Sequence, residues 1–277
     1  MGKHLCLWNT HHDQMQLTKR NKNRTYATVV KRELEYKKGD EFKKGEFLEV
    51  AVKHYKENIR IRSIVREIDA LRKLQDCPYV PRLYGITRPE LQTSLWCSIV
   101  MESCYGDLGQ PKVQKDIGAQ IIKIFAETAS AVRKMHEKGL VHRDIKPANI
   151  MVVNKREEEW EARLIDFGIA RNYSDEGDMT HNAGTGSFKA PETRNGTFDA
   201  KSDIYSFGKT MQEMERTKAN ILFTKQASAR EKDSPLRHWK KIAFQCSMPD
   251  RDKRPQLMDT IYEILTSMSS DIYLYSR

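Results

Sequence analysis

The chain has 277 residues, of which 39% are hydrophobic and 31% charged, and it carries a formal net charge of +10. That length and apolar content suffice for one globular unit with a substantial core and room to divide into two lobes, and they exclude disorder as the dominant state. No apolar run approaches the roughly 18 residues that a membrane-spanning helix needs, and the opening MGKHLCLWNTHHDQMQLTKR lacks the apolar core and small-residue cleavage site of a secretory signal.

The five cysteines, Cys6, Cys77, Cys97, Cys104 and Cys246, are scattered and form no zinc-ligand spacing, which points to a reducing, cytoplasmic or nuclear compartment. The basic excess lies early, in KRNKNR and the lysine pairs at Lys37 and Lys43. Without interleaved aromatic residues it is poor evidence for a nucleic-acid partner, and none is expected. Met1-Gly2 opens like a myristoylation signal, but Cys6 stands where Ser or Thr is usual, and that reading is the weaker one.

In chain order, residues 1–19 read as a basic, poorly patterned tail in which His11, His12 and Asp13 are solvated rather than metal ligands. TYATVV and EFLEVAV alternate or run β-branched and are separated by the Lys-Gly turns of KKGDEFKKGE, so a strand-rich lobe begins here, and EVAVKHY places Lys53 at the end of a strand. IRIRSIVREIDALRKL repeats Ile61, Ile64, Val65, Ile68 and Leu71 at helical spacing, with Glu67 beside this stripe and turned inward. CPYVPRLYG and SLWCSIVME supply two further strands, ending near Glu102 to Gly106. The remainder reads as helical. IGAQIIKIFAETASAVRKMHEKG aligns Ile117, Ile121, Ile124, Phe125, Val132 and Met135 on one face, and Gly139 is placed to stop it. After a polar connection, HWKKIAFQC and RPQLMDTIYEILTSM read as two packed helices.

The most telling strings are HRDIKPANI at His142 to Ile150 and LIDFGIA at Leu164 to Ala170. Two acids and an amide so spaced can arrange a hydroxyl, two magnesium ions and a nucleotide. A lone D-F-G is weak, since an acid before Phe-Gly is often only a turn. Here it follows H-R-D-x-x-x-x-N, a lysine strand and a glutamate helix, and it precedes GTGSFKAPE, DAKSDIYSFGKTM and PDRDKRP. From about Thr25 to Leu265 this order resembles the eukaryotic protein kinase family, of serine/threonine type. The wording is closest to the tyrosine-kinase-like and receptor-like branches.

The resemblance implies an α+β, bilobal protein kinase fold, with a small antiparallel β-sheet lobe plus one helix over 20–103 and a larger, mostly helical lobe over 104–277. It implies transfer of the γ-phosphoryl group of ATP, with Mg2+ or Mn2+, to a Ser or Thr hydroxyl of a protein substrate, by a chain more readily monomeric than oligomeric and not inserted in a membrane. Asp144 would orient the acceptor hydroxyl and take its proton. Lys146 would contact the γ-phosphate, with Thr185 bracing both, and Asn149 and Asp166 would hold metal. Lys53, paired with Glu67, would hold the α- and β-phosphates. Ala27, Val29, Ala51, Met101, Glu102, Cys104 and Met151 would line the nucleotide site, Met101 limiting its depth. Asp203 would fix the catalytic loop and Arg254 would pair with Glu192. Arg143 would bind a loop phosphate, with Thr180 favoured over Tyr173 and Ser174 as its carrier.

One element departs from the family. The best register for its glycine-rich lid is KNRTYATV, Lys22 to Val29, which has no glycine; Ala27 is the nearest substitute and Arg24 offers charge instead. The interval between Val29 and Lys53 is also long for a strand, a turn and a strand. An inactive scaffold built on the same fold is therefore the alternative reading, and a small-molecule kinase is the weaker third.

Overall fold

The computed structural model describes residues 5–6, 20–23, 27–35, 47–55, 59–87, 98–156, 159–173, 184–217, 235–256 and 258–275. Arg24, Ser174 and Thr180 lie outside them, as do His11 to Asp13 and most of the polar connection before the closing helices. The chain divides into two compact units: Met1–Gln75 with Pro81–Cys104, and Asp76–Val80 with Tyr105–Arg277.

Among the described residues the first unit is a six-stranded antiparallel sheet with one helix. Its strands are β1 (Leu5–Cys6), β2 (Arg20–Asn23), β3 (Ala27–Glu35), β4 (Phe47–Tyr55), β5 (Leu83–Thr87) and β6 (Ser98–Glu102), in the order β1-β5-β6-β4-β3-β2. Two of the residues read as tail therefore belong to the sheet, because Leu5 and Cys6 pair with Thr87 and Ile86. β3 and β4 pair along their whole lengths, from Ala27 opposite Tyr55 to Glu35 opposite Phe47. These long strands take up much of the interval before Lys53. β2, whose sequence RNKN carries no strand periodicity, pairs with β3 through Asn23 opposite Thr28, so the described ends of the glycine-free stretch lie on paired strands.

Helix α1 (Ile61–Lys73) has Arg72 and Lys73 in its last turn, where cations suit the dipole. Its buried row is Ile64, Glu67 and Leu71, continued by Leu74 beyond the helix, at the 3–4 spacing of a single face. The expected stripe is rotated from this row: Ile68 is half-buried, while Ile61 and Val65 are exposed. Glu67 occupies the centre of the packed face because its carboxylate has partners there, described below.

In the second unit, β7 (Gly106–Asp107), β9 (Ile150–Arg156) and β10 (Glu159–Leu164) form a three-stranded sheet in the order β10-β9-β7. β8 (Leu140–Val141) pairs with β11 (Arg171–Asn172). Among the described residues the helices are α2 (Pro111–Ile117), α3 (Ile121–Glu137), α4 (Ala200–Arg216), α5 (Pro235–Cys246) and α6 (Met258–Tyr275). Ile117 ends α2 rather than joining α3, since Gly118 adopts φ +49° and a short 3-10 turn intervenes. Ile121, Ile124, Phe125, Val132 and Met135 of α3 are all buried as the pattern predicts, and Gly139 ends the run at φ +72°. Phe125 meets Phe207 of α4 edge-on at 5.5 Å and Trp239 of α5 at 4.8 Å, a geometry aromatic rings favour. The closing helices do not pack mainly on each other. α5 packs on α4 and α6 on α3, because the apolar faces they complement belong to those helices.

Candidate active site

In the first unit the pleat of β4 points alternate residues to one side, which puts Ala51, Lys53 and Tyr55 on a common face. Lys53 Nζ reaches Glu67 Oε1 at 2.6 Å and Oε2 at 2.7 Å, and Glu67 is 3% exposed. The lysine is therefore held by a bidentate, largely buried ion pair, not by an exposed contact of little worth. The register sets Val29 opposite Lys53, Ala27 opposite Tyr55 and Met101 opposite Ala51, so these positions share a few cross-strand rows. Met101 and Cys104 are buried. Glu102 gives its backbone N–H to Arg82 O at 2.9 Å, so this N–H is already engaged within the sheet lobe.

In the second unit the catalytic-loop residues gather on one carboxylate. Asp144 Oδ1 accepts from Thr185 Oγ1 at 2.8 Å, and Oδ2 accepts from Lys146 Nζ at 2.6 Å and from Asn149 Nδ2 at 3.0 Å. Lys146 also donates to Thr185 Oγ1 at 2.6 Å, which closes a ring of three side chains 39 or more residues apart in pairing with Thr185. Asn149 spends its amide nitrogen on Asp144 O and Oδ2, leaving its oxygen as the group it can offer a cation. With the Asp166 carboxylate this is an all-oxygen donor set, which fits Mg2+ or Mn2+. Among the described residues no group of three His, Cys, Asp or Glu could hold a metal by itself. Such an ion would lean on ligand phosphates, as Mg2+ commonly does. Met151 lies in β9, half-buried and opposite Asp107 and Arg163.

Two non-glycine residues here adopt left-handed backbone, Arg143 at φ +72° and Asp166 at φ +69°. That conformation costs an L-residue energy and persists only where the surroundings over-determine it. The restraint on Arg143 is visible. Asp203, wholly buried at the start of α4, takes the N–H of His142 at 2.8 Å and of Arg143 at 2.9 Å. His142 accepts the Asp144 N–H at Nδ1, which assigns its proton to Nε2, where it faces Ile165 O at 3.0 Å. This ring thus ties the loop bearing Asp144 to the residue before Asp166. The Arg143 guanidinium is stacked 3.7 Å from the Phe198 ring centroid, and the residue is 5% exposed. A loop phosphate would have to displace that stacking to reach it.

Farther along, Arg254 meets Glu192 bidentately at 2.6 and 2.8 Å, and Ser202 Oγ donates to Glu192 Oε1 at 3.1 Å. Burial works against the Glu192 charge, but the Arg254 and Ser202 hydrogen bonds outweigh it and hold the carboxyl below its ordinary range. Two contributors escaped the reading of the sequence. His136, at the end of α3, adds a contact of 3.0 Å from Nε2 to Asp203 Oδ2; its signal was a histidine six residues before His142. Tyr55, two residues after Lys53, had no signal beyond strand parity.

A family model of the protein kinase domain matches residues 40–271, and the chain belongs to the protein kinase family. Calcium-dependent protein kinase 4 of Plasmodium berghei is 29% identical over 161 residues, covering 57% of this chain and 30% of that protein. The dual specificity mitogen-activated protein kinase kinase hemipterous of Drosophila melanogaster is 29% identical over 161 residues, 55% of this chain and 13% of its own length. The serine/threonine-protein kinase PknB of Mycobacterium leprae is 38% identical over 99 residues, 34% of this chain and 15% of that protein. The matched stretches thus span under a third of each relative. Among the described residues no helix is long and apolar enough to cross a membrane.

Proposed function

We propose that the chain is a catalytically competent serine/threonine protein kinase. The observation that carries this reading is the closed set of contacts among Asp144, Lys146, Asn149 and Thr185. Phosphoryl transfer asks for alignment and charge neutralisation more than for covalent chemistry, and these four residues supply both. When bound, ATP supplies the phosphoryl group and Mg2+ offsets its charge. Asp144 orients the acceptor hydroxyl and takes its proton at a carboxylate oxygen. Lys146, fixed by two oxygen partners, presents its ammonium beside that acceptor. Thr185 braces the two. Asn149 and Asp166 would hold metal through oxygen, and Lys53, steadied by Glu67, would hold phosphate. Lys146 also supports Ser/Thr over Tyr as acceptor, because the lysine at this place in H-R-D-x-K-x-x-N resembles the one that marks the serine/threonine type in the family.

The glycine-free sequence from Lys22 to Val29 favours a second reading, a scaffold that binds partners without efficient transfer. One experiment separates them. Purified protein is incubated with labelled ATP, Mg2+ and a generic basic protein beside the Asp166→Ala variant. Label incorporated by the parent and lost in the variant is the expected result; equal label from both removes the enzyme reading.

A further inference from the structure

The ion pair of Lys53 and Glu67 has a third member. Tyr55 is 2% exposed, and its hydroxyl donates to Glu67 Oε2 at 2.8 Å, the same oxygen that Lys53 Nζ reaches at 2.7 Å. The Lys53 ammonium lies 5.4 Å from the Tyr55 ring centroid. One phenol thus contributes a hydrogen bond to the anion and a ring near the cation.

A buried carboxylate is stable only while its charge is compensated, and removing its sole partner leaves it exposed to the full desolvation penalty. Lys53 cannot be that sole partner throughout a catalytic cycle, because phosphate oxygens compete for the same ammonium. A phenolic donor is neutral, so a phosphate has little pull on it, and it stays with the glutamate. We propose that Tyr55 is a positioning residue for phosphoryl transfer: its hydroxyl keeps Glu67 aimed at Lys53 while the ammonium is shared with the nucleotide. This rests on the kinase reading above. It also bears on the glycine-poor lid, since a chain with few glycines to cradle phosphate through backbone amides depends more on the lysine.

Tyr55→Phe keeps the ring and removes only the hydroxyl, so the fold is retained. The expected result is a rise in KM for ATP and a fall in kcat/KM of about tenfold, the scale of a lost hydrogen bond to a charged group. Glu67→Gln combined with Tyr55→Phe is expected to be no worse than Glu67→Gln alone, since Tyr55 acts through Glu67. Amide hydrogen exchange supplies a readout that needs no catalysis: residues 61–73 of α1 should exchange faster in Tyr55→Phe while 121–137 of α3 do not change. Parent-like KM together with parent-like α1 exchange overturns the proposal. So does an additive double variant, and so does a general loss of melting temperature with faster exchange everywhere, which would make Tyr55 merely structural. If the parent transfers no phosphate at all, the kinase reading fails and the exchange comparison alone judges Tyr55, unchanged α1 exchange counting against it.

Discussion

Gly184 sits at φ +95°, and a Cβ built on it would lie 2.7 Å from Arg143 O. Both the backbone conformation and the close approach demand glycine, and the carbonyl it faces belongs to the catalytic loop. Gly184→Ala must push the following Thr185 away from Asp144 or move the loop. We expect labelled phosphate transfer to fall by at least about tenfold while stability drops by only about 1–2 kcal/mol, read by steady-state kinetics beside a thermal melt. Glu192 carries a second prediction. Its folded pKa is lowered from the ordinary 4.5, so the stability it lends is present above that value and is lost as pH falls through the folded pKa. Urea midpoints measured downward from pH 5 should therefore drop below about pH 4.5. Glu192→Gln removes this share of the acid sensitivity and costs about 3 kcal/mol at neutral pH, because the Arg254 side chain, wholly buried, is left with carbonyl partners and no carboxylate.

At the scale of elements, α4 and α5 approach closely at one point. A Cβ on Gly208 would lie 2.6 Å from Cys246 Cβ and 2.8 Å from the Ser247 backbone nitrogen. Gly208→Ala should cost about 1–3 kcal/mol by overpacking, despite the better helix propensity of alanine. Burial pushes the Cys246 thiol up to about 12, so it should resist alkylation at pH 8 in the native parent and become reactive in Gly208→Ala as the two helices part. A thiol that stays protected in the variant would show that the interface absorbs the methyl. Elements with long periodic faces were legible in the sequence. The α3 stripe holds from Ile121 to Met135, Ile117 going to α2 instead; the strand bearing Lys53 runs on to Tyr55, and the helix bearing Glu67 lies where the pattern puts it. What escaped depends on partners distant in the chain. β1 is two residues that exist only by pairing with β5, and β2 is a polar tetrapeptide supported by β3. Periodicity names an apolar face without saying which half of it is covered, hence the exposure of Ile61 and Val65. The candidate site was legible where a motif fixes spacing, as for the contacts of Asp144 with Lys146 and Asn149. It was not where a residue contributes through a neighbour, as Tyr55 and His136 do.

For the molecule as a whole, the sequence between α1 and β5 is out of step with its neighbours. α1 and β5 belong to the first unit, yet Asp76–Val80 belongs to the second. Leu164 at the end of β10 donates its N–H to Tyr79 O at 2.9 Å, and Asp76 accepts from Lys138 at 2.7 Å and lies 3.4 Å from Lys134. These lysine pairs are largely exposed, so each is worth little, and the hold on the segment comes instead from buried side chains, Cys77 and Val80 among them. Burial also raises the Cys77 thiol, consistent with a group removed from water. Trimming Val80, 4% exposed, to alanine opens a small cavity worth about 2 kcal/mol. By chain position that loss would fall on the first unit; by the unit to which Asp76–Val80 belongs it falls on the second. Hydrogen exchange decides between the two: in Val80→Ala the amides of α3 and β10 should exchange faster while the β3 and β4 amides keep the parent rates. Faster exchange in β3 and β4 with α3 unmoved would place the segment energetically with the unit that surrounds it in sequence.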